Sequence, residues 1–350
     1  DYTDTSDGVL LLEKAATNLF TYSQDFSNSF WLIQNLSVTL NSIISPDGTL
    51  NAAKLIEDSS NSTHRILNSS GLTVSGDVSM SVFAKKGERN WIRLTNNNIQ
   101  GAFFDLENGV IGDVISGINA KIENYGNGWY RCSISQTGVA NERLGVYTSI
   151  DGVNTTYQGN GTSGVYIFGA MLEQNSVATS YIPTQGSAST RVAETANNSG
   201  NSEVFNDSEG VLFVNTSFLD VTSFKGISIS SGANGNAIRI YSSLVDNQLV
   251  FRVTVNSVDQ VLKLYTLSDT SLYNKISLKY KENDFSVFIN GFKLLTDNIG
   301  STFSSGVLNQ LNFNRSDGND PFYGKTKEIG YYNTILTDLE LETLTSYRTW

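Results

Sequence analysis

Apolar and polar residues alternate along this chain in short runs, and most runs end on a turn-forming pair. Residues 79–84 alternate, and so do 90–95, where Ile92 and Leu94 fall on one face and Trp91 and Arg93 on the other. Residues 103–106 and 110–114 flank Glu107-Asn108-Gly109, a tight-hairpin signal. Asn127-Gly128 launches Trp129-Tyr130-Arg131-Cys132-Ser133-Ile134, and 145–150 gives a further strand before the Asp151-Gly152 turn. Residues 165–172 read as a buried strand, followed by a tail around Tyr181-Ile182-Pro183-Thr184 and a Gly/Ser/Thr/Asn-rich stretch to about residue 206.

From residue 209 a second series begins. Residues 210–214 open it, and 276–280 alternate. Residues 285–295 form a hairpin across Asn290-Gly291. Thr337-Asp338-Leu339-Glu340 has the form of a capping box and predicts a short helix from 338 to about 347. Strands at this spacing, with no long helical period between them, predict an all-β chain. We expect two tandem antiparallel β-sandwich (jelly-roll) domains, over 1–192 and 209–350, joined by a linker at 193–208.

Composition agrees. At 350 residues and 39% apolar content the chain can build two cores, and its 16% charged content argues against coiled coils. The net charge of −11 is spread without a basic cluster, which argues against a nucleic-acid partner. Neither a membrane-spanning apolar run nor a signal peptide is visible, so no membrane insertion is expected. The chain opens on Asp1 rather than Met, which fits either cleavage or a fragment of a longer protein; a fragment is the expectation. Cys132 is the single cysteine, which excludes an intramolecular disulfide and a thiolate zinc site; a small buried hydrophobe is its expected role.

The same economy limits catalysis. His64 is the single histidine and lacks a nucleophile-elbow context, so it is expected to be a surface or groove residue. Glycoside hydrolysis needs only two carboxylates, yet no strand carries a run of acids on one face. The segment from Tyr323 to Asn333 faintly resembles the Tyr/Lys/Tyr strand of sandwich alginate lyases, but its spacing departs from that pattern. No enzymatic activity is expected.

Binding chemistry remains. Sugars stack their C–H faces on aromatic rings while Arg, Asn and Gln read hydroxyls. Trp91 with Arg93, and Trp129 with Arg131, are the candidate contacts. If their strands share a sheet, the two pairs line one groove; the competing assignment for Trp129 is core or rim packing. Arg315 and Tyr323 form a second candidate cluster beside the Asp317-Gly318-Asn319-Asp320 loop. Asp317 and Asp320 there are candidate ligands for a structural calcium, against the plain turn reading of such a run. No other cofactor is expected.

Several separated motifs resemble a module of phage tail proteins. Leu10-Leu11-Leu12-Glu13, Asn18-Leu19-Phe20, Tyr22-Ser23 and Trp31 match its opening. Asn127-Gly128-Trp129-Tyr130-Arg131 and the 169–191 stretch with Glu173 and Tyr181-Ile182-Pro183-Thr184 match its later signatures. Met171 stands where that family often has Gln. Residues 209–348 resemble a concanavalin A-like or laminin G-like sandwich, a fold that hosts lectins, enzymes and spacers alike. Together the resemblances imply a virion tail-fibre-type protein, extracellular, that binds a bacterial surface polysaccharide or other glycan during host adsorption. Other virion tail proteins and homotrimerisation are implied as partners. The alternatives are a structural or decoration protein without its own ligand, or the accessory region of a larger polysaccharide-degrading enzyme.

Overall fold

In a computed structural model the described residues are 8–97, 99–137, 142–219 and 224–347. Their regular structure is antiparallel strands, with one helix at Asp338–Thr345. The all-β expectation holds. None of their helices is long and apolar enough to cross a membrane.

The chain divides into two compact units, one of residues 15–192 and one combining 1–14 with 193–350. This corrects the expected boundaries. Leu10–Leu12 pairs with the Gly324–Tyr332 strand, Leu10 opposite Thr326 and Leu12 opposite Gly324, and Leu12 is buried in that unit's core. The stretch expected to be a linker is packed there as well. Phe205 is buried against Tyr331 at 5.0 Å, and Asp207 accepts from the Gly306 and Leu308 amides. Its Asn and Ser residues serve local turn bonds, such as Asn201 Oδ1 to the Glu203 amide, rather than disorder. Residues 1–7 of the expected first domain lie outside the described residues.

Residues 15–192 build two six-stranded sheets around one core. In the first sheet the spatial order is Val110–Val114, Gly101–Asp105, Trp91–Thr95, Gly145–Ser149, Arg65–Asn68, Trp31–Gln34. In the second it is Asn119–Asn124, Trp129–Thr137, Asp77–Lys86, Gly164–Glu173, Leu50–Glu57, Leu36–Ile44. Period-two alternation sends Ile66, Ile92, Leu94 and Val146 of the first sheet inward, against Val82, Cys132, Ile134 and Ile167 of the second. Each such side chain contributes about 1.5–3 kcal/mol of apolar burial.

Part of the outer face of the second sheet is covered by the chain's own tail. Trp129 and Arg131, which alternation places opposite Cys132, are each only 2% exposed. The Trp129 indole donates to the Ile44 carbonyl at 3.1 Å, and its ring packs with Phe83, Phe168 and Tyr181. Arg131 donates from Nη1 to the Thr179 carbonyl and from Nη2 to Ser81 Oγ at 3.0 Å, its guanidinium 5.4 Å over the Phe83 ring. Glu173 accepts from the amide and hydroxyl of the same Thr179 at 2.8 Å. Tyr181 Oη meets Ser23 Oγ at 2.6 Å, and Asn18 Nδ2 donates to the Ile182 carbonyl at 2.8 Å. The tail therefore clasps the segment from Asn18 to Ser23 onto the sheet. At the bulge between Phe168 and Met171, Gly169 has φ +61° and leaves its missing side chain's space to Tyr181 and Phe83.

The second unit is built likewise, from a six-stranded sheet and a five-stranded sheet that share a core including Leu212, Ile240, Phe251 and Leu278. The Asn290-Gly291 hairpin forms as expected, with φ of 51° and 83°. The helix starts on the expected capping box, Thr337 and Glu340 bonding each other's backbone amides.

Two outcomes test the clasp. Arg131→Met should destabilise residues 15–192 by about 1–3 kcal/mol, because it leaves the buried Thr179 carbonyl without the Arg131 donor; an unchanged denaturant midpoint would contradict this. Burial pushes the Glu173 carboxyl above its usual value, outweighing hydrogen bonds from Asn175 and Thr179 and the Arg131 charge. A carboxyl that holds its proton more tightly when folded stabilises most below its unfolded pKa, and that contribution is lost as pH rises through the folded pKa. Stability measured from pH 4 to 7 should therefore decline less steeply with rising pH in Glu173→Gln than in the parent chain, whereas equal slopes would remove Glu173 from the linkage.

Candidate functional site

With Trp129 and Arg131 covered on one sheet, the outer face of the other carries the remaining Trp–Arg pair. Cross-strand register aligns Gln34, Arg65, Tyr147, Arg93 and Phe103 in one row over five neighbouring strands. The core residues Ile66, Ile92 and Val146 alternate with them, so the row points outward. Cation and ring succeed each other along it. The Arg65 guanidinium lies 5.2 Å over Tyr147, and that of Arg93 lies 5.2 Å over Phe103.

The arginines cover the rings, leaving Tyr147 3% and Phe103 6% exposed, while both arginines and Trp91 remain half-buried. Arg65 Nε donates to Gln34 Oε1 at 2.5 Å and its Nη1 donates to Tyr147 Oη. Arg93 Nη2 donates to the Ile99 carbonyl at 2.8 Å. Desolvation moves the Arg93 guanidinium below its ordinary pKa, opposed by the nearby Tyr147.

Trp91 begins the strand, paired with Asp105 on one side and Ser149 on the other. Its ring occupies a slot between Gly112 and Gly152. A Cβ at Gly152 would stand 2.7 Å from the indole, and one at Gly112 would stand 2.9 Å from it. Gly152 has φ +74°, in a turn held by Asp151, whose Oδ1 accepts from the Val153 and Asn154 amides. Those bonds from Asn154 and Val153 hold the Asp151 carboxyl down at about 2.

Of the residues expected from sequence, Trp91 and Arg93 lie on this outer face. Trp129 and Arg131 lie beneath the tail on the other sheet, so the two Trp–Arg pairs do not line one groove. The physical reason is the clasp, which satisfies the Arg131 fork internally. His64, expected near the surface, is also buried: Nδ1 lies 2.6 Å from the Asn35 carbonyl and Nε2 lies 3.3 Å from that of Tyr157. Sequence reasoning missed Arg65, Tyr147, Phe103 and Gln34. Each sits in an alternating run, but only register brings them into one row.

In the second unit, Arg315 and Tyr323 each meet one of two consecutive residues. The Arg315 guanidinium is 5.1 Å over Phe224, and Lys225 Nζ is 4.8 Å over the Tyr323 ring. Asp320 lies 3.2 Å from Arg315 Nε, an ion pair without hydrogen-bond alignment. Asp317 accepts from Asn234 Nδ2 at 2.5 Å and from the Asn319 amide at 3.1 Å. Burial opposes ionisation of Asp317, but the bonds from Asn319 and Asn234 outweigh it and hold the carboxyl below its usual value. Among the described residues no three His, Cys, Asp or Glu side chains gather as a metal site, and the oxygen atoms of this loop serve the turn and the neighbouring cation.

No protein-family model and no curated protein matches the sequence. Among solved structures, a leech intramolecular trans-sialidase aligns at 19% identity with a TM-score of 0.36, over 41% of this chain and 24% of that enzyme. An SAP-like pentraxin from Limulus polyphemus aligns at 11% identity and TM-score 0.34, over 43% of this chain and 74% of the pentraxin. Domains LG4-5 of the mouse laminin α1 chain align at 8% identity and TM-score 0.30, over 98% of this chain and 96% of that one. All three are distant likenesses.

The glycine slot is testable. Gly152→Ala puts a methyl group into the indole and a left-handed φ on a non-glycine residue, at a cost of about 1–2 kcal/mol for the backbone alone. The expected result is a shifted tryptophan emission and an altered near-ultraviolet dichroism. Spectra identical to the parent's would contradict the slot.

Proposed function

We propose that the 15–192 unit is a non-enzymatic carbohydrate-binding module, and that the outer Arg65–Tyr147–Arg93–Phe103 row with Trp91 is its ligand face. The observation that carries this reading is the row itself. Along four neighbouring strands two guanidinium groups alternate with two aromatic rings, each about 5.2 Å over its ring, beside a half-buried indole. The guanidinium groups offer hydrogen-bond forks to hydroxyls and Trp91 offers apolar area to C–H faces, and contact with the rings beneath holds the forks in place before a ligand arrives.

The tail-module motifs in the sequence extend the reading to a virion setting. There the chain would serve as a tail-fibre-type component, outside the host cell, that recognises a bacterial surface glycan. One such face gives modest affinity. A homotrimer would present three, and avidity would then supply the adhesion a single site lacks. The 209–350 sandwich would act as a partner module in the same fibre.

A glycan array and a pull-down on bacterial surface polysaccharides test this. The parent chain should retain glycan. Trp91→Ala and Arg93→Ala should each weaken retention about tenfold, equivalent to about 1.4 kcal/mol, with melting curves confirming the fold. Absence of retention by the parent chain, or variants that bind as it does, would instead support a structural or decoration role. Release of reducing ends from any retained polysaccharide would overturn the non-enzymatic reading.

A further inference from the structure

The charge state of the ligand face narrows what it takes. The chain has 34 acidic and 23 basic residues, a net charge of −11, so a surface cation ordinarily finds a carboxylate nearby. Several cations of the 15–192 unit do so: Arg89 binds Glu57, Lys54 binds Glu88, Lys86 binds Glu107 and Lys121 binds Glu123. Arg65 and Arg93 do not, and unlike Arg131, which also bonds only neutral groups, they lie half-exposed on an outer face. Arg65 bonds only neutral groups, the Gln34 amide oxygen and the Tyr147 hydroxyl. Arg93 bonds one backbone carbonyl, while its buried Nε has no partner. Among the described residues Arg65 Nη2 and Arg93 Nη1 have no acceptor, and neither is buried away from solvent.

Holding two half-desolvated cations without a counter-charge costs stability, and a ligand that supplies the counter-charge recovers it. Their spacing adds a geometric condition. Arg65 and Arg93 sit on strands separated by the Gly145–Ser149 strand, so their backbones are about 10 Å apart, twice the interstrand distance. One small anion does not satisfy both, whereas an extended chain with repeated acidic groups does.

Resting on the carbohydrate-binding reading above, we infer that the ligand of this face is an acidic polysaccharide, two of whose carboxylates are received by Arg65 and Arg93 while a sugar ring meets Trp91. A carboxylate suits a guanidinium because its planar oxygen pair matches the planar donors. Tyr147 lies between the two arginines and keeps Arg65 in place.

The test uses the full chain and a panel of neutral and uronic- or sialic-acid-containing bacterial polysaccharides. Every polysaccharide that binds is also presented after its carboxyl groups have been reduced to alcohols. Acid-bearing chains should bind, carboxyl reduction should weaken binding at least tenfold, and affinity should fall as sodium chloride rises from 50 to 500 mM, as expected for about two ion pairs. Arg65→Gln and Arg93→Gln should remove most of the difference between native and reduced chains, whereas Arg93→Lys, which keeps the charge, should retain part of it. Equal binding of native and carboxyl-reduced chains would overturn this inference while leaving the carbohydrate-binding reading intact. Preference for dextran sulfate over every carboxylated chain would overturn the carboxylate assignment. Binding of no polysaccharide at all would overturn both readings. Should a glutamine variant fail to melt cooperatively, the carboxyl-reduction and salt arms on the parent chain still decide the matter.

Discussion

The buried guanidinium of Arg131 is the constraint on which the arrangement of residues 15–192 depends. Its fork reaches the Thr179 carbonyl and Ser81, and Glu173 takes the amide and hydroxyl of the same Thr179. A charge this deep is tolerable only when it is bonded, and the bonds it makes fix the tail across the outer face of one sheet. That assignment decides the rest. With Tyr181 and Trp129 sealing one face, the aromatic and cationic residues of the opposite sheet are left facing outward.

The two Trp–Arg pairs show how identical local patterns reach opposite ends. Trp91-Ile92-Arg93 and Trp129-Tyr130-Arg131 both alternate, and both place the Trp and Arg away from the core. What separates them is a segment some fifty residues on in one case and two glycines in the other. Thr179 and Tyr181 cover Arg131 and Trp129, whereas Gly112 and Gly152 make a slot that admits the Trp91 ring without burying it. Strand existence, hairpin turns and the capped helix were legible because they follow from neighbours in sequence. The identity of the open face was not, because it depends on long-range register and on the path of the tail.

The same reasoning accounts for the domain boundary. Leu10-Leu11-Leu12 is apolar and short, and its sequence does not name its partner; it pairs with Gly324–Tyr332. The Asn- and Ser-rich stretch after residue 192 has the composition of a flexible link, yet Phe205 and Asp207 anchor it in the second unit. Several residues that carry the tail-module resemblance, among them Asn18, Ser23, Arg131, Glu173 and Tyr181, work in the clasp. These motif residues thus serve the fold, and the proposed ligand face draws on Arg65, Trp91, Arg93, Phe103 and Tyr147.

The central claim is that the ligand face belongs to the sheet containing Trp91–Thr95 and not to the one containing Trp129–Thr137. Hydrogen–deuterium exchange of the full chain, with and without a retained polysaccharide, tests it most directly. The account predicts added protection in and around Arg65–Asn68, Trp91–Thr95 and Gly145–Ser149, with Trp129–Thr137 and the 179–184 tail unchanged. Protection confined to the tail and the Trp129–Thr137 strand would contradict it.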